Sequence, residues 1–253
     1  HNILGTSDTV KSFTQESISR FIARTYNTDQ MVFCSAGNIP DDKILHLFVK
    51  YFGHITPTCR DTQPSQPWTY HPAKVTRKMN TNQNHCIIGN VAYDIRDDRR
   101  IVMFLLNNIL GGQGLNSRLN LSLREKNGLA YNVESAYNPY MDTGAFSIYF
   151  GTDSSSLEKS IKIIHSELAR LRTVKLGQVQ MSKARNQIKG YLARAYENHE
   201  NLMLSLGKSL IVFDRVETIE ESCERIDRIT ASDLLETANE IFDPAKLSTL
   251  LYL

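Results

Sequence analysis

GGQGLNSRLNLSLREKNGLAYNVESAYNPYMDTGAFSIYFG, residues Gly111 to Gly151, decides how the rest of the sequence is read. Leu115, Leu119 and Leu123 recur every fourth residue and predict the buried face of a helix. Gly128 follows Arg124, Glu125 and Lys126, so a helix with a cationic last turn should stop there and leave Arg124 at its end. Beyond the glycine the period changes to two. Ala130, Asn132, Glu134 and Ala136 alternate with Tyr131, Val133, Ser135 and Tyr137, and Met141-Asp142-Thr143-Gly144 turns the chain into a second strand from Ala145 to Phe150. Tyr131 is thus expected early on a strand, beside the helix end that carries Arg124.

A guanidinium and a phenol on rigid elements across a tight turn can both donate to one carbonyl. A plainer reading stands beside it. An Arg in a last helical turn commonly serves the helix dipole, and a strand Tyr is commonly core with a wet tip.

Outside this stretch, composition excludes more than it selects. With 253 residues, 41% hydrophobic and 22% charged, the chain can bury a core and is neither disordered nor fibrous. A net charge of +2 gives no reason to expect nucleic acid or a membrane surface as partner. The apolar runs are too short to span a bilayer. Cys34, Cys59, Cys86 and Cys223 show no CxxC spacing, and Cys34 and Cys86 lie in strand-like runs, so free thiols are expected rather than a disulfide framework.

In chain order, residues 1–10 show no element signal, and Thr14 caps an amphipathic helix with Ile18, Phe21, Ile22 and Tyr26 on one face. Met31 to Ala36 reads as a buried strand, and a short helix follows with Ile44, Leu47, Phe48 and Phe52 inward. Pro57, Pro64, Pro67 and Pro72 then suggest a linker. Strands are expected over 74–79 and 85–92, and an apolar helix from Asp98 to Leu110 ends at Gly111-Gly112. Leu157, Ile161, Ile164, Leu168 and Leu171 mark a clear helical face. One very long helix is expected after Ser182, with Ile188, Leu192, Ala195, Leu202 and Leu206 inward, then two shorter helices and a closing strand at 247–253. At one constant offset Thr14, Ile18, Tyr26 and Met31 match Thr230, Leu234, Phe242 and Leu247, which suggests two copies of a capped helix followed by a strand.

SRLNLSLREKNGLAY, preceded by LLNNILGG and followed by DTGAFSIYFGT, with ILGTSDTVKSFT and MVFCSAGN far upstream, resembles the zinc peptidases of the pitrilysin and mitochondrial processing peptidase (insulinase-like) family. The resemblance implies an α+β fold, an antiparallel sheet packed with helices, in two homologous domains per half-molecule. On that reading residues 1–55 are the tail of a first, zinc-bearing domain, 56–73 a proline-rich linker, and 74–253 a complete second domain. It further implies that Arg124 and Tyr131 point into a closed chamber and hold the backbone of an extended peptide, with Gly111, Gly112 and Gly114 as a turn at the chamber rim that also contacts substrate.

The family's metal centre is an HxxEH helix motif, and no such spacing occurs here. His46, His54, His71, His85 and His165 are isolated, and His199-Glu200 reads as a helix-surface pair, since zinc catalysis needs three protein ligands. Zinc is therefore expected in the intact enzyme, with ligands outside this chain. The expected partners are an extended peptide, the zinc-bearing domain and a second subunit or homologous half that closes the chamber. A non-catalytic chamber or assembly subunit is the alternative. A soluble protein of a bacterial cytoplasm or periplasm fits, the compartment itself being open. Among smaller features, Arg118 and Glu125 should pair along one helical face, and His85 should start a strand that packs in the core or borders a peptide groove.

Overall fold

The computed structural model describes residues 3–61, 69–79 and 82–253. Contacts divide the chain into two compact units, 1–65 with 195–217, and 66–194 with 218–253.

The larger unit is built on one long antiparallel pairing. Strand β2 (Asn84–Ala92) is zipped to β4 (Gly144–Thr152) from Asn84 opposite Thr152 to Ala92 opposite Gly144. Strand β3 (Val133–Pro139) reaches β4 through the tight turn after Tyr140, whose N–H donates to the Thr143 carbonyl at 2.7 Å. The closing strand β5 (Ser248–Tyr252) runs antiparallel to β2 on its other side, and β1 (Lys74–Arg77) adds beyond it. The order is β1-β5-β2-β4-β3. The sheet is antiparallel except at one edge, where β1 lies parallel to β5.

A side-chain period of two makes such a pairing a device for sorting residues onto two faces. Cys86 and Ile88 of β2, Phe146, Ile148 and Phe150 of β4, and Val133 and Tyr137 of β3 are buried. They pack into one core with α4 (Arg100–Gly111), α5 (Leu157–Thr173) and α9 (Ala231–Ile241), which contribute Met103, Leu106 and Leu110, then Ile164 and Leu168, then Leu234, Ala238 and Ile241. The periodic positions of α5 are buried except Ile161, which is half-buried. At one corner the Tyr93 hydroxyl donates to Glu240 at 2.7 Å, and Arg99 stacks on the Tyr93 ring while bonding Glu240 at 3.0 Å, so a wet cluster ties the start of α4 to α9. Burial, with Glu240 accepting from the hydroxyl, pushes the Tyr93 phenol up to about 12.

The smaller unit has α1 (Ser7–Lys11), α2 (Gln15–Thr25), α3 (Asp41–Phe52) and α7 (His199–Phe213). The long helix expected after Ser182 is two helices, because Asn198 leaves helical geometry and its side chain accepts from the N–H groups of Glu200 and Asn201. It ends α6 (Gln178–Glu197) and starts α7 in one residue. Met31–Ala36, expected as a buried strand, is extended but belongs to no sheet, and its side chains are exposed or half-buried. An extended segment becomes a strand only when a neighbouring segment pairs with it, and among the described residues none does. Phe33 instead stacks with Phe48 and Phe52 of α3, at 5.0 and 6.0 Å between ring centroids.

The internal echo is half present. Helices α2 and α9 each run 11 residues behind a threonine capping box, Thr14 with Ser17 and Thr230 with Asp233. Leu234 and Phe242 are buried, whereas Ile18 and Tyr26 are exposed, and only the second helix leads into a paired strand. Pro64 and Pro67 of the expected linker lie outside the described residues. Near its end Tyr70 hydrogen-bonds the Lys246 carbonyl at 2.8 Å and the Ser248 hydroxyl at 2.7 Å, which anchors the approach to β1.

Ile148 is fully buried at the centre of β4, so Ile148→Ala should cost about 2–5 kcal/mol through lost transfer energy and a residual cavity. Urea unfolding followed by circular dichroism should show the loss as a lower midpoint at unchanged slope.

Candidate functional site

The helix that ends at Arg124 is wider than an α-helix. From Asn120 to Glu125 it is π-helical, and the Lys126 N–H reaches back to the Leu121 carbonyl at 3.1 Å. The carbonyls from Leu121 to Arg124 each find a donor. The Asn127 side chain donates to Ser122 at 2.7 Å, the Leu129 N–H to Leu123 at 2.9 Å, and the Gly128 N–H to Arg124 at 3.0 Å. Gly128 closes this turn at φ +61°, where a side chain would be strained. The buried face of the helix is Leu119 and Leu123, both at 0% exposure; Leu115 is 65% exposed and lies before the helix begins, in a turn that keeps it off that face.

Arg124 leaves this helix end half exposed. Its carboxylate neighbour is Glu125, at 3.7 Å from Nε and equally open to water, a contact worth little. Tyr131 is not on the strand: it sits in a bend, and pairing starts only at Val133. The reason is visible at Leu129, whose carbonyl accepts from the Thr152 hydroxyl at 2.5 Å while Ala130 is buried, so the chain is still turning here. Tyr131 is 90% exposed and has no hydrogen-bond partner among the described residues, which removes the reading of it as a core tyrosine. Arg124 and Tyr131 are therefore two open polar side chains on the flanks of one tightly bonded turn.

The glycines before the helix have separate reasons. Gly111 is buried, and a Cβ there would meet the Ser135 N and Oγ at 2.8 Å and a Leu119 methyl at 3.0 Å. A Cβ on Gly112 would lie 2.5 Å from the Asn108 side-chain oxygen. Gly114 lies under a small polar latch, in which Asn116 and Gln187 of α6 exchange two amide hydrogen bonds at 3.3 Å and Gln187 also donates to the Tyr191 hydroxyl at 2.9 Å.

Arg118 does not pair with Glu125. It turns toward Glu167 of α5, 3.7 Å away, with both side chains largely covered. Burial lowers the Arg118 pKa and the Glu167 charge opposes that shift. Among the described residues no three His, Cys, Asp or Glu side chains gather as a metal would require. His165, in α5, has its pKa lowered by burial and by Lys74. His85 is half exposed on the sheet face turned away from the helices, with Nδ1 2.9 Å from the Tyr149 hydroxyl and the two rings stacked. Of the two expectations for His85, core or groove border, the structure places it on this uncovered face, with Ile87, Gly89 and Val91 alternating along β2 on the same side.

A five-stranded, mostly antiparallel sheet with helices packed on one face defines an α+β domain. Residues 12–188 match the family described as Peptidase M16 inactive domain, and the chain belongs to the M16 peptidase family. It is 30% identical over 240 residues to an uncharacterized zinc protease of Bacillus subtilis, covering 95% of this chain and 58% of that protein. Over 254 residues it is 31% identical to an uncharacterized zinc protease of Rickettsia felis, covering 98% of this chain and 60% of the relative. Two solved structures share the fold: a peptidase M16 inactive domain from Pseudomonas fluorescens (TM-score 0.89, 19% identity, 100% of this chain and 60% of that one) and a protease from Helicobacter pylori (TM-score 0.85, 18% identity, 99% and 62%). The chain thus spans about three-fifths of the length of the relatives it matches. No helix among the described residues is long and apolar enough to cross a membrane.

Two outcomes follow from this geometry. Gly128→Ala should cost about 1–2 kcal/mol, because the alanine must hold a left-handed backbone; thermal unfolding measures it. The 253-residue chain, dialysed after exposure to zinc, should retain no stoichiometric metal by atomic absorption, and one tightly held equivalent would show a ligand set that this reading lacks.

Proposed function

We propose that this chain is the substrate-holding half of a zinc-dependent endopeptidase subunit that cleaves extended peptides in a closed chamber. In this reading residues 1–55 end the zinc-bearing domain, 56–73 link, and 74–253 form the second domain. On the same reading the zinc ligands lie outside the chain, whose sequence carries no HxxEH spacing. A second subunit or homologous half completes the chamber.

The observation that carries the proposal is the open state of Arg124 and Tyr131. A guanidinium already locked to a carboxylate would have to break that pair before accepting a peptide carbonyl, and Arg124 has only its exposed neighbour Glu125 at 3.7 Å. The Tyr131 hydroxyl is likewise uncommitted among the described residues. Arg124 anchors the peptide backbone through its planar fork. Tyr131 donates to the carbonyl oxygen as negative charge develops on it, which is where a preorganised donor lowers the barrier most. Gly112 and Gly114 face the substrate across the same rim, whereas Gly111 serves packing because it is buried.

The test uses the intact enzyme and a peptide substrate. Tyr131→Phe keeps the ring and removes one donor, so kcat should fall by about a hundredfold with little change in KM. Arg124→Ala should raise KM as well, through lost anchoring. Equal turnover by the Phe variant and the parent would take Tyr131 out of the mechanism. Peptide binding without cleavage by the intact protein would instead favour a non-catalytic chamber subunit.

A further inference from the structure

Strand register places side chains on the open sheet face in transverse rows. Arg77 of β1 lies opposite Tyr252 of β5, Tyr252 opposite His85 of β2, and His85 opposite Gly151 of β4, whose N–H donates to the Asn132 carbonyl at 3.3 Å. Tyr149 leans into this row through its contact with His85. Gly151 leaves a notch there, for a Cβ on it would lie 3.4 to 3.9 Å from Gln83, His85 and Tyr149. The row ends one residue from Tyr131. The next row is Val75, Leu250, Ile87 and Tyr149, closed at the β3 edge by Glu134. Its apolar members stay open to water, Val75 at 41% and Ile87 at 37%. The third row is small, Ser248, Gly89 and Ser147, and Tyr70 bonds within it.

The charges on this face are sorted. Arg77 forms no ion pair among the described residues, and the Tyr252 hydroxyl has no hydrogen-bond partner among them. The carboxylate on the face, Glu134, is four strands from Arg77, about 19 Å at the usual strand spacing. His85 has Nδ1 2.9 Å from the Tyr149 hydroxyl; in the tautomer whose Nδ1 accepts from the phenol, Nε2 carries the ring proton and is a donor.

We propose that the first two rows form a subsite for an extended peptide bearing an acidic side chain. Its carboxylate meets Arg77 and the Tyr252 hydroxyl, its backbone carbonyl accepts from His85 Nε2, and a neighbouring apolar side chain covers Val75, Leu250 and Ile87. Charge complementarity selects this occupant: the polar row presents donors and a cation and no carboxylate, while the apolar row requires side chains that gain by leaving water. From Arg77 to Gly151 the row crosses three strand spacings, about 14 Å, which four extended residues span. The proposal deepens the substrate-holding reading above and rests on it.

Fluorescence polarisation with the 253-residue chain separates the two. The probes are an amidated extended peptide with one Glu among apolar residues, the same peptide with Gln, and the Gln peptide with a free C-terminal carboxylate. The Glu peptide should bind about fivefold more tightly than the Gln peptide, as expected for one partly exposed ion pair, and added salt should shrink the ratio. Arg77→Gln should abolish the ratio, and His85→Gln should weaken both peptides alike. Arg124→Ala should weaken all probes and leave the ratio intact. Equal binding of the Glu and Gln peptides, a ratio that survives Arg77→Gln, or a gain confined to the free C-terminus would each overturn the acidic subsite. If Arg124→Ala has no effect while the ratio holds, the Arg–Tyr grip fails and the subsite stands.

Discussion

The pairing of β2 with β4 is the constraint on which the larger unit depends. A slip of β2 by one residue against β4 would carry Cys86 and Ile88 from the helix-covered face to the open one and bring His85 and Ile87 toward the core. Burial of the aromatic and aliphatic set against α4, α5 and α9 forbids that slip. The same register that secures the core therefore arranges the polar and apolar rows on the other face, and ties Asn132, beside Tyr131, to Gly151.

The helix before Tyr131 is fixed by different means. Asn127, Gly128 and Leu129 together take up the last carbonyls of a π-helical turn, so the exit from the helix is set by hydrogen bonds and leaves Arg124 and Tyr131 free to face outward. Packing holds the start, through Gly111 against Ser135 and Leu119, and the Asn116–Gln187 amides hold the loop between. The polar side chains stay open because none of these restraints uses them.

Much of this was legible in the residues, and the limits have physical causes. Period and capping located the helices at 100–111, 157–173 and 231–241, and alternation located β2, β3 and β4, because each buries one face and so writes a regular pattern. Gly128 was readable as a helix stop. The π turn was not, since its extra width comes from backbone bonding that Leu119 and Leu123 do not record. Leu115 matched the spacing yet sits in a turn, and Tyr131 matched the alternation yet precedes the strand; spacing alone carries no information on where bonding begins. Met31–Ala36 looked like a strand because its composition is that of one, but a ladder needs a second chain segment. The side-chain latch of Asn198 split a helix whose apolar period ran on unbroken. Arg118 chose Glu167 over Glu125 because the partner on another element is invisible to a local reading. The family resemblance, carried by the stretch around Arg124 and Tyr131, was readable because it depends on many positions at once.

Cys86 lies on β2, the middle strand of the sheet, fully buried, and burial pushes its thiol up to about 12. The thiolate that alkylating reagents need is thus withheld as long as β2 keeps its neighbours, while Cys59 is exposed. Nature has left a timer inside the sheet: the interval before Cys86 reacts measures how often the central strands part, a breathing rate of the scaffold rather than a property of its surface.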